Sequence, residues 1–212
     1  MKLTVAFIPM LLGIILHEVA HGAAALRCGD PTARMLGRLS VNPLPHIDPM
    51  GLAMFAFTAL CTPFVFGWAK PVPVNPRYFR NFRRDMILVS AAGPLANFLL
   101  AVLFAVLLKL MLFLPGSVLA SGPVPQFMAE MFLAGIQVNI SLAWFNLIPV
   151  PPLDGSKILA CVLPDSAARA LFSIGRFGFL IIAVILASGT AGTFLSPIIR
   201  GSVRFLLTTA GL

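Results

Sequence analysis

The chain has 212 residues, enough for one ordinary domain, and its composition excludes a soluble one: 59% hydrophobic, 10% charged, mean hydropathy +0.98. The formal net charge of +8 does not point to nucleic acid, because the basic residues cluster between apolar segments, as juxtamembrane charge does. The clusters are Arg27, Arg34 and Arg38, then Lys70, Arg77, Arg80, Arg83 and Arg84. Cys28, Cys61 and Cys161 are far apart and form no CxxC pair, so they imply neither a disulfide framework nor a cysteine-ligated metal.

Leu3 to about Leu26 is apolar and long enough to cross a bilayer, and Arg27-Cys28-Gly29-Asp30-Pro31 stops it. Lys2 and Ala23-Ala24-Ala25 give this run the look of a signal peptide, but it is long for one and carries His-Glu inside it, so a retained helix is expected. Residues 29 to 49 are interrupted by Pro31, Pro43, Pro45 and Pro49. That pattern leaves room for short strands, a β-hairpin or sheet around Ala33 to Val41, and argues against a helix.

Met50 to Trp68 is apolar but broken by Pro63 and Gly67, so it either crosses or forms a re-entrant hairpin. Both flanking loops are basic, which favours the hairpin, since a crossing would place them on opposite sides. Asp85 to Leu114 is a span that opens through Ser90-Ala91-Ala92-Gly93-Pro94, small residues that let helices approach closely. After a glycine- and proline-rich turn, Phe127 to about Ile148 is another span, polar only at Glu130, Gln137, Asn139, Ser141 and Asn146. Pro149-Val150-Pro151-Pro152-Leu153-Asp154-Gly155 then breaks the helix at membrane depth, where irregular backbone is tolerated only if buried in protein or lining a cavity. Ser156 to Leu163 is a short helix, Phe172 to Ala187 a span, and Phe194 to Leu207 a last apolar segment. The expectation is a single all-α polytopic membrane domain over residues 1–212, with five or six membrane segments.

His17-Glu18-Val19-Ala20-His21 carries the chemistry. Histidines spaced i, i+4 face one side of a helix and can share a metal ion, with Glu18 placed to take a proton from metal-bound water. Ionisable groups inside an apolar run are costly and are functional by default. A catalytic zinc needs a third ligand and an open position. Glu130 lies near the start of a span, and Asp30, Asp48, Asp85 and Asp165 sit in loops or at boundaries. Asp154, in the proline-rich break, is either that ligand or simply the N-cap of the helix after it, and the residues alone leave both open.

His17-Glu18-Val19-Ala20-His21 taken with Asn146-Leu147-Ile148-Pro149 through Leu153-Asp154-Gly155 resembles the paired HExxH and NxxPxxxLDG signatures of the site-2 proteases, zinc metalloproteases that cut within membranes. Ala92-Gly93-Pro94-Leu95-Ala96-Asn97 and Gly29-Asp30-Pro31-Thr32-Ala33 resemble further recurring elements of that family. Asn42 to Pro49 and Lys70 to Pro76 look like a compact bacterial branch without a PDZ domain. The likeness covers residues 13 to about 163, with the C-terminal helices of 170–210 adding little.

The resemblance implies one Zn2+ per chain held by His17, His21 and Asp154, with Glu18 as catalytic base and Asn146 positioning substrate or stabilising the oxyanion. It implies an intramembrane endopeptidase acting on membrane-protein substrates in the lipid bilayer, and it leaves a homo-oligomer open. Two other functions are compatible with the motif: a catalytically silent relative that binds membrane proteins, and a zinc transporter. Intact Glu18 argues against the first, and the scarcity of further intramembrane polar stations against the second. His46 either approaches the site or a substrate strand, or stabilises its own loop. Asn97 either lines the site or bonds across helices. Free edges in the 32–41 region are candidates for pairing with an extended substrate. The positive-inside rule places the basic end of the first span in the cytoplasm, so the site is expected in the cytoplasmic half of a bacterial inner membrane, roughly 10 to 15 Å from Arg27, with Met1 outside.

Overall fold

With no charged residue between Leu3 and Leu16, the N-terminal run has nothing to end a helix, and α1 extends over Leu3–Arg27. It stops where Gly29 adopts a φ of 107°, a left-handed value suited to glycine. There the Asp30 N–H bonds the Ala25 carbonyl at 2.9 Å and the Gly29 N–H bonds Leu26 at 3.1 Å, the paired closure of a Schellman turn. The computed structural model describes residues 3–61, 67–119 and 122–212.

No strand forms among the described residues, which corrects the expected β-hairpin around Ala33 to Val41. Thr32–Met35 is instead a helical turn, α2, and Leu44–His46 a 3-10 turn. The prolines weighed against a helix here, yet a proline just ahead of the first turn costs it nothing, since the N–H it lacks would be unpaired anyway. Asp30 supplies the missing cap: one carboxylate oxygen accepts from the Thr32 N–H at 2.9 Å and from the Thr32 hydroxyl. Its other oxygen accepts from the Asn75 N–H at 2.6 Å, joining this turn to the stretch that precedes the next long helix.

Asp30 is fully buried. Burial alone would raise its carboxyl pKa, but the bonds from Thr32 and Asn75 outweigh it and hold the value below the usual 3.8. The ionised group therefore contributes its full stability above the unfolded value and loses it as pH falls through the lower folded one. Asp30→Asn should destabilise the protein by about 1–3 kcal/mol at neutral pH. It should also flatten the loss of melting temperature between pH 5 and pH 3, measured in detergent. Equal acid sensitivity in the two proteins would assign that loss to other groups.

α3 spans Pro49–Cys61, capped by the Asp48 carboxylate on the Gly51 N–H at 2.9 Å. A Cβ on Gly67 would lie 2.8 Å from the Gly51 carbonyl oxygen, and one on Gly51 would overlap Trp68. The Lys70 N–H bonds the His46 carbonyl at 2.8 Å. The two ends of the stretch 50–68 thus lie side by side, while residues 62–66 of the expected hairpin lie outside the described residues.

α4 covers Phe82–Met111, opened by a reciprocal cap in which Asn81 accepts from the Arg84 N–H and Asp85 accepts from the Asn81 N–H. After the short α5 (Gly116–Leu119) come α6 (Pro123–Asn146), α7 (Asp154–Val162), α8 (Asp165–Ile174), α9 (Gly178–Ala187) and α10 (Thr190–Ala210).

Four stretches among the described residues are long and apolar enough to cross a membrane, not five or six: Thr4–Arg27, Phe82–Met111, Pro123–Asn146 and Asp165–Ala187. α3 falls short of the roughly 20 residues a crossing needs. α10 is long enough, but Arg200, Arg204 and Pro197 lower its apolar character.

α1, α4 and α6 pack on one another as the heart of the bundle. Leu100, Ala101, Phe104, Ala105 and Leu108 of α4 meet Phe132, Ile136 and Ile140 of α6. Gly135 of α6 has no side chain where the Phe104 ring lies, which lets the two helices close. α10 covers this core with Ile199, Val203, Leu206 and Leu207, and Trp144 of α6 donates to the Ser202 hydroxyl at 3.0 Å. On the outer face of α4, Leu95, Leu99, Leu103 and Leu110 are exposed, a surface suited to lipid rather than water.

Candidate metal centre

The helical spacing of α1 puts His17 and His21 one above the other, ring centroids 4.6 Å apart and nearly perpendicular. Their Nε2 atoms are 3.0 Å apart. Asp154, the first residue of α7, brings Oδ2 to 3.2 Å from one and 3.1 Å from the other. All three side chains are buried. The capping alternative for Asp154 is not what forms: Oδ2 faces the histidines and Oδ1 accepts from the Lys157 ammonium at 2.9 Å.

The far ring nitrogens decide what the near ones offer. His17 Nδ1 lies 2.7 Å from Asn97 Oδ1, and His21 Nδ1 lies 2.7 Å from the Val89 carbonyl oxygen. Asn97 is fixed in this sense because its amide donates to the Gly13 carbonyl and to Asn139 Oδ1. Both partners of the histidines can only accept, so each ring carries its proton on Nδ1 and presents a lone pair at Nε2. With the rings neutral, three acceptors, two imidazole nitrogens and a carboxylate oxygen, converge on one point. A divalent cation satisfies all three at once. The nitrogen and oxygen donor set suits zinc, and separations of 3.0–3.2 Å approach the roughly 3.4 Å edge of a tetrahedron with bonds near 2.1 Å.

Gly93 of α4 forms the floor of this cluster. A Cβ there would overlap His21 Nε2 and come within 2.6 Å of the His17 ring. Gly13 plays the matching role one layer away, where a Cβ would strike the Asn139 amide. The polar chain from His17 through Asn97 to Asn139, which donates to the Gly135 carbonyl at 2.9 Å, thus ties α1, α4 and α6 together inside the apolar bundle.

Glu18 lies next to His17 in sequence, and its Oε2 accepts from the Val72 N–H at 2.6 Å. Val72 sits in an extended proline-rich stretch, where prolines at 71 and 73 lack N–H groups of their own. Arg38, buried, donates to the Lys70 carbonyl at 2.8 Å and to Pro71 at 3.3 Å, and Asp30 holds Asn75. Three charged side chains thus pin one strip of backbone beside the cluster.

Of the residues singled out in the sequence, the structure unites His17, His21 and Asp154, and places Asn97 directly behind His17. Asn146 donates back to the Leu142 carbonyl of its own helix at 2.9 Å, and no hydrogen bond links it to the cluster. His46 Nε2 donates to the Ser40 carbonyl at 2.8 Å and secures its own loop. The pattern did not single out Val72, Val89, Arg38 or Asn139. Their parts depend on backbone groups and on contacts between distant segments, which spacing does not reveal.

Comparisons with known proteins bear on what such a cluster does. Residues 117–187 match the model of Peptidase family M50, a stretch that contains Asp154 but not α1. The protein named "Putative zinc metalloprotease YwhC" of Bacillus subtilis (strain 168) is 35% identical over 195 residues, covering 91% of this chain and 84% of its own length. The chain belongs to peptidase family M50. Its relatives in this family include Rip2 of Mycolicibacterium smegmatis, 32% identical over 83% of this chain and 64% of Rip2. Rip2 of Mycobacterium tuberculosis (strain ATCC 25618 / H37Rv) is 32% identical over 90% of this chain and 66% of its own. No solved structure matches. This M50 peptidase is accordingly a zinc metalloprotease, an integral membrane protein of the site-2 protease kind.

Proposed function

We propose that this M50 peptidase is an intramembrane endopeptidase that hydrolyses peptide bonds in or near the transmembrane segments of membrane proteins, as in regulated intramembrane proteolysis. The observation that carries the reading is the buried cluster of His17, His21 and Asp154, with Glu18 one residue along, inside the bundle of apolar helices. In this reading the whole chain, residues 1–212, is one membrane-embedded catalytic domain.

His17, His21 and Asp154 hold the metal, and Asn97 and Val89 keep the two rings turned toward it. When bound, zinc supplies a Lewis acid that lowers the pKa of a water and polarises a peptide carbonyl. Glu18 would accept a proton from the water as its oxygen bonds to the peptide carbon, and would give that proton to the amine released when the C–N bond breaks. The Val72 N–H holds Oε2 and so fixes the carboxylate while leaving Oε1 for the proton.

The side of the membrane follows from where the charges gather. The Asn75 N–H on Asp30 brings together the basic loop after α1 and the basic loop before α4, and Gly67 and Trp68 lie beside the start of α3 between them. Both positive clusters then lie at one end of the bundle, which the positive-inside rule assigns to the cytoplasm. His17 and His21 lie six to ten residues before Arg27, a rise of roughly 9–15 Å, which supports a site in the cytoplasmic half of a bacterial inner membrane.

The test is reconstitution into lipid vesicles with a reporter whose only cleavable bonds lie in a transmembrane helix. Cleavage is expected to stop when zinc is stripped by a chelator and to return when zinc alone is restored. Undiminished cleavage by metal-free protein, or processing of soluble loop peptides with none of the membrane helix, would refute the proposal.

A further inference from the structure

The carboxylate of Asp154 has two oxygens, and the structure divides them. Oδ2 faces the two imidazole nitrogens, while Oδ1 accepts a charge-assisted bond from Lys157 Nζ at 2.9 Å. Lys157 stands three residues further along α7, so both groups project from one turn of one short helix. The Asp154 side chain is 5% exposed and that of Lys157 43%. An ion pair between two solvated side chains would contribute little. Here the acidic partner is buried and its second oxygen is committed elsewhere, so the ammonium decides how the carboxylate can turn.

We propose that Lys157 is a positioning residue that confines Asp154 to ligating the metal through Oδ2 alone. The proposal rests on the reading of His17, His21 and Asp154 as the metal ligands. A carboxylate free to rotate can offer both oxygens to one cation, and the second oxygen would add a fifth ligand to the three side chains and the water, crowding the open position a catalytic zinc needs. The ammonium holds Oδ1 on the opposite side, and swinging it inward requires breaking the Lys157 bond. A partner that fixes a metal ligand from behind, as Asn97 does for His17, is thereby present for Asp154 as well. Its half-exposed setting also puts a positive charge at the more open edge of an otherwise buried site.

Cobalt(II) replaces zinc in such sites and reports coordination number directly, because its visible absorption is strong with four ligands and weak with five or six. The experiment compares the spectra of the cobalt-loaded wild-type protein, Lys157→Met and Lys157→Arg, with circular dichroism to show that each is folded. Lys157→Gln stands in if the methionine variant does not accumulate. Strong absorption is expected from wild type and Lys157→Arg, and a clearly weakened spectrum from the uncharged variants. On zinc, the uncharged variants should lose about 10- to 100-fold in kcat with KM little changed. A folded uncharged variant with the wild-type spectrum overturns the role given to Lys157 while leaving the metal centre intact. A wild-type protein that takes up no cobalt overturns the metal centre itself, and this proposal with it.

Discussion

Glu18→Gln is expected to keep one zinc per chain and to lower cleavage of a membrane-helix reporter by about 10²- to 10⁴-fold, the contribution of a positioned general base. The substitution preserves shape, and the amide oxygen of glutamine still accepts from the Val72 N–H that Glu18 Oε2 now holds. None of the three groups that converge on the metal is touched. The proton acceptor alone is lost. Zinc content and cleavage must be measured on the same preparation, because the two quantities separate the competing functions. Retained zinc with abolished cleavage is the signature of the protease. Equal cleavage by the variant would remove Glu18 from the mechanism. Metal flux across vesicles that survives the substitution would favour transport, for which a base beside the ligands has no use.

Much of this centre was legible in the sequence because its two halves are short, local and chemically unusual. Histidines at i, i+4 need only a helix to share a face, and α1 provides it. The proline-rich break before Asp154 announced backbone that had to be enclosed by protein at membrane depth, and the structure places its carboxylate against the histidines. What the sequence left open was the choice between capping and ligation, since that depends on a contact 137 residues away. The region after α1 was misread for a different reason. Proline frequency is a sound argument against helix in general, but it does not register that Asp30 caps a turn beginning just after Pro31. The number of segments was overestimated because it included Met50 to Trp68, whose flanking charge already favoured a hairpin, and Phe194 to Leu207, which carries Arg200 and Arg204. The position of Glu18 against Val72 was beyond pattern reading altogether, as a backbone N–H has no sequence signature.

Gly93→Ala should disrupt the metal centre with a single methyl group. Its Cβ would overlap His21 Nε2 and stand 2.6 Å from the His17 ring, separations that real contacts do not reach. Something has to move, and the rings are poorly placed to do so. Each is held at 2.7 Å through its far nitrogen, His17 by Asn97 and His21 by the Val89 carbonyl. Asn97 is in turn bound to Gly13 and Asn139. Displacing one imidazole therefore breaks a chain of buried hydrogen bonds across α1, α4 and α6, while displacing α4 opens the core between α4 and α6. Overpacking of this kind costs about 1–3 kcal/mol, which a bundle can survive, whereas a ligand pair moved out of register cannot bind as before. The expected result is a folded protein, by circular dichroism and thermal melting, whose zinc affinity falls at least about 10- to 100-fold and whose cleavage falls with it. Gly192→Ala is the control: it also lies in a helix, but nothing stands within 4 Å of its added Cβ. Alanine is the better helix former by about 1 kcal/mol, so that variant should keep zinc and activity and melt no lower than wild type. Wild-type zinc affinity in Gly93→Ala would show that the rings are free to move, and the tight cradle described for them would be wrong.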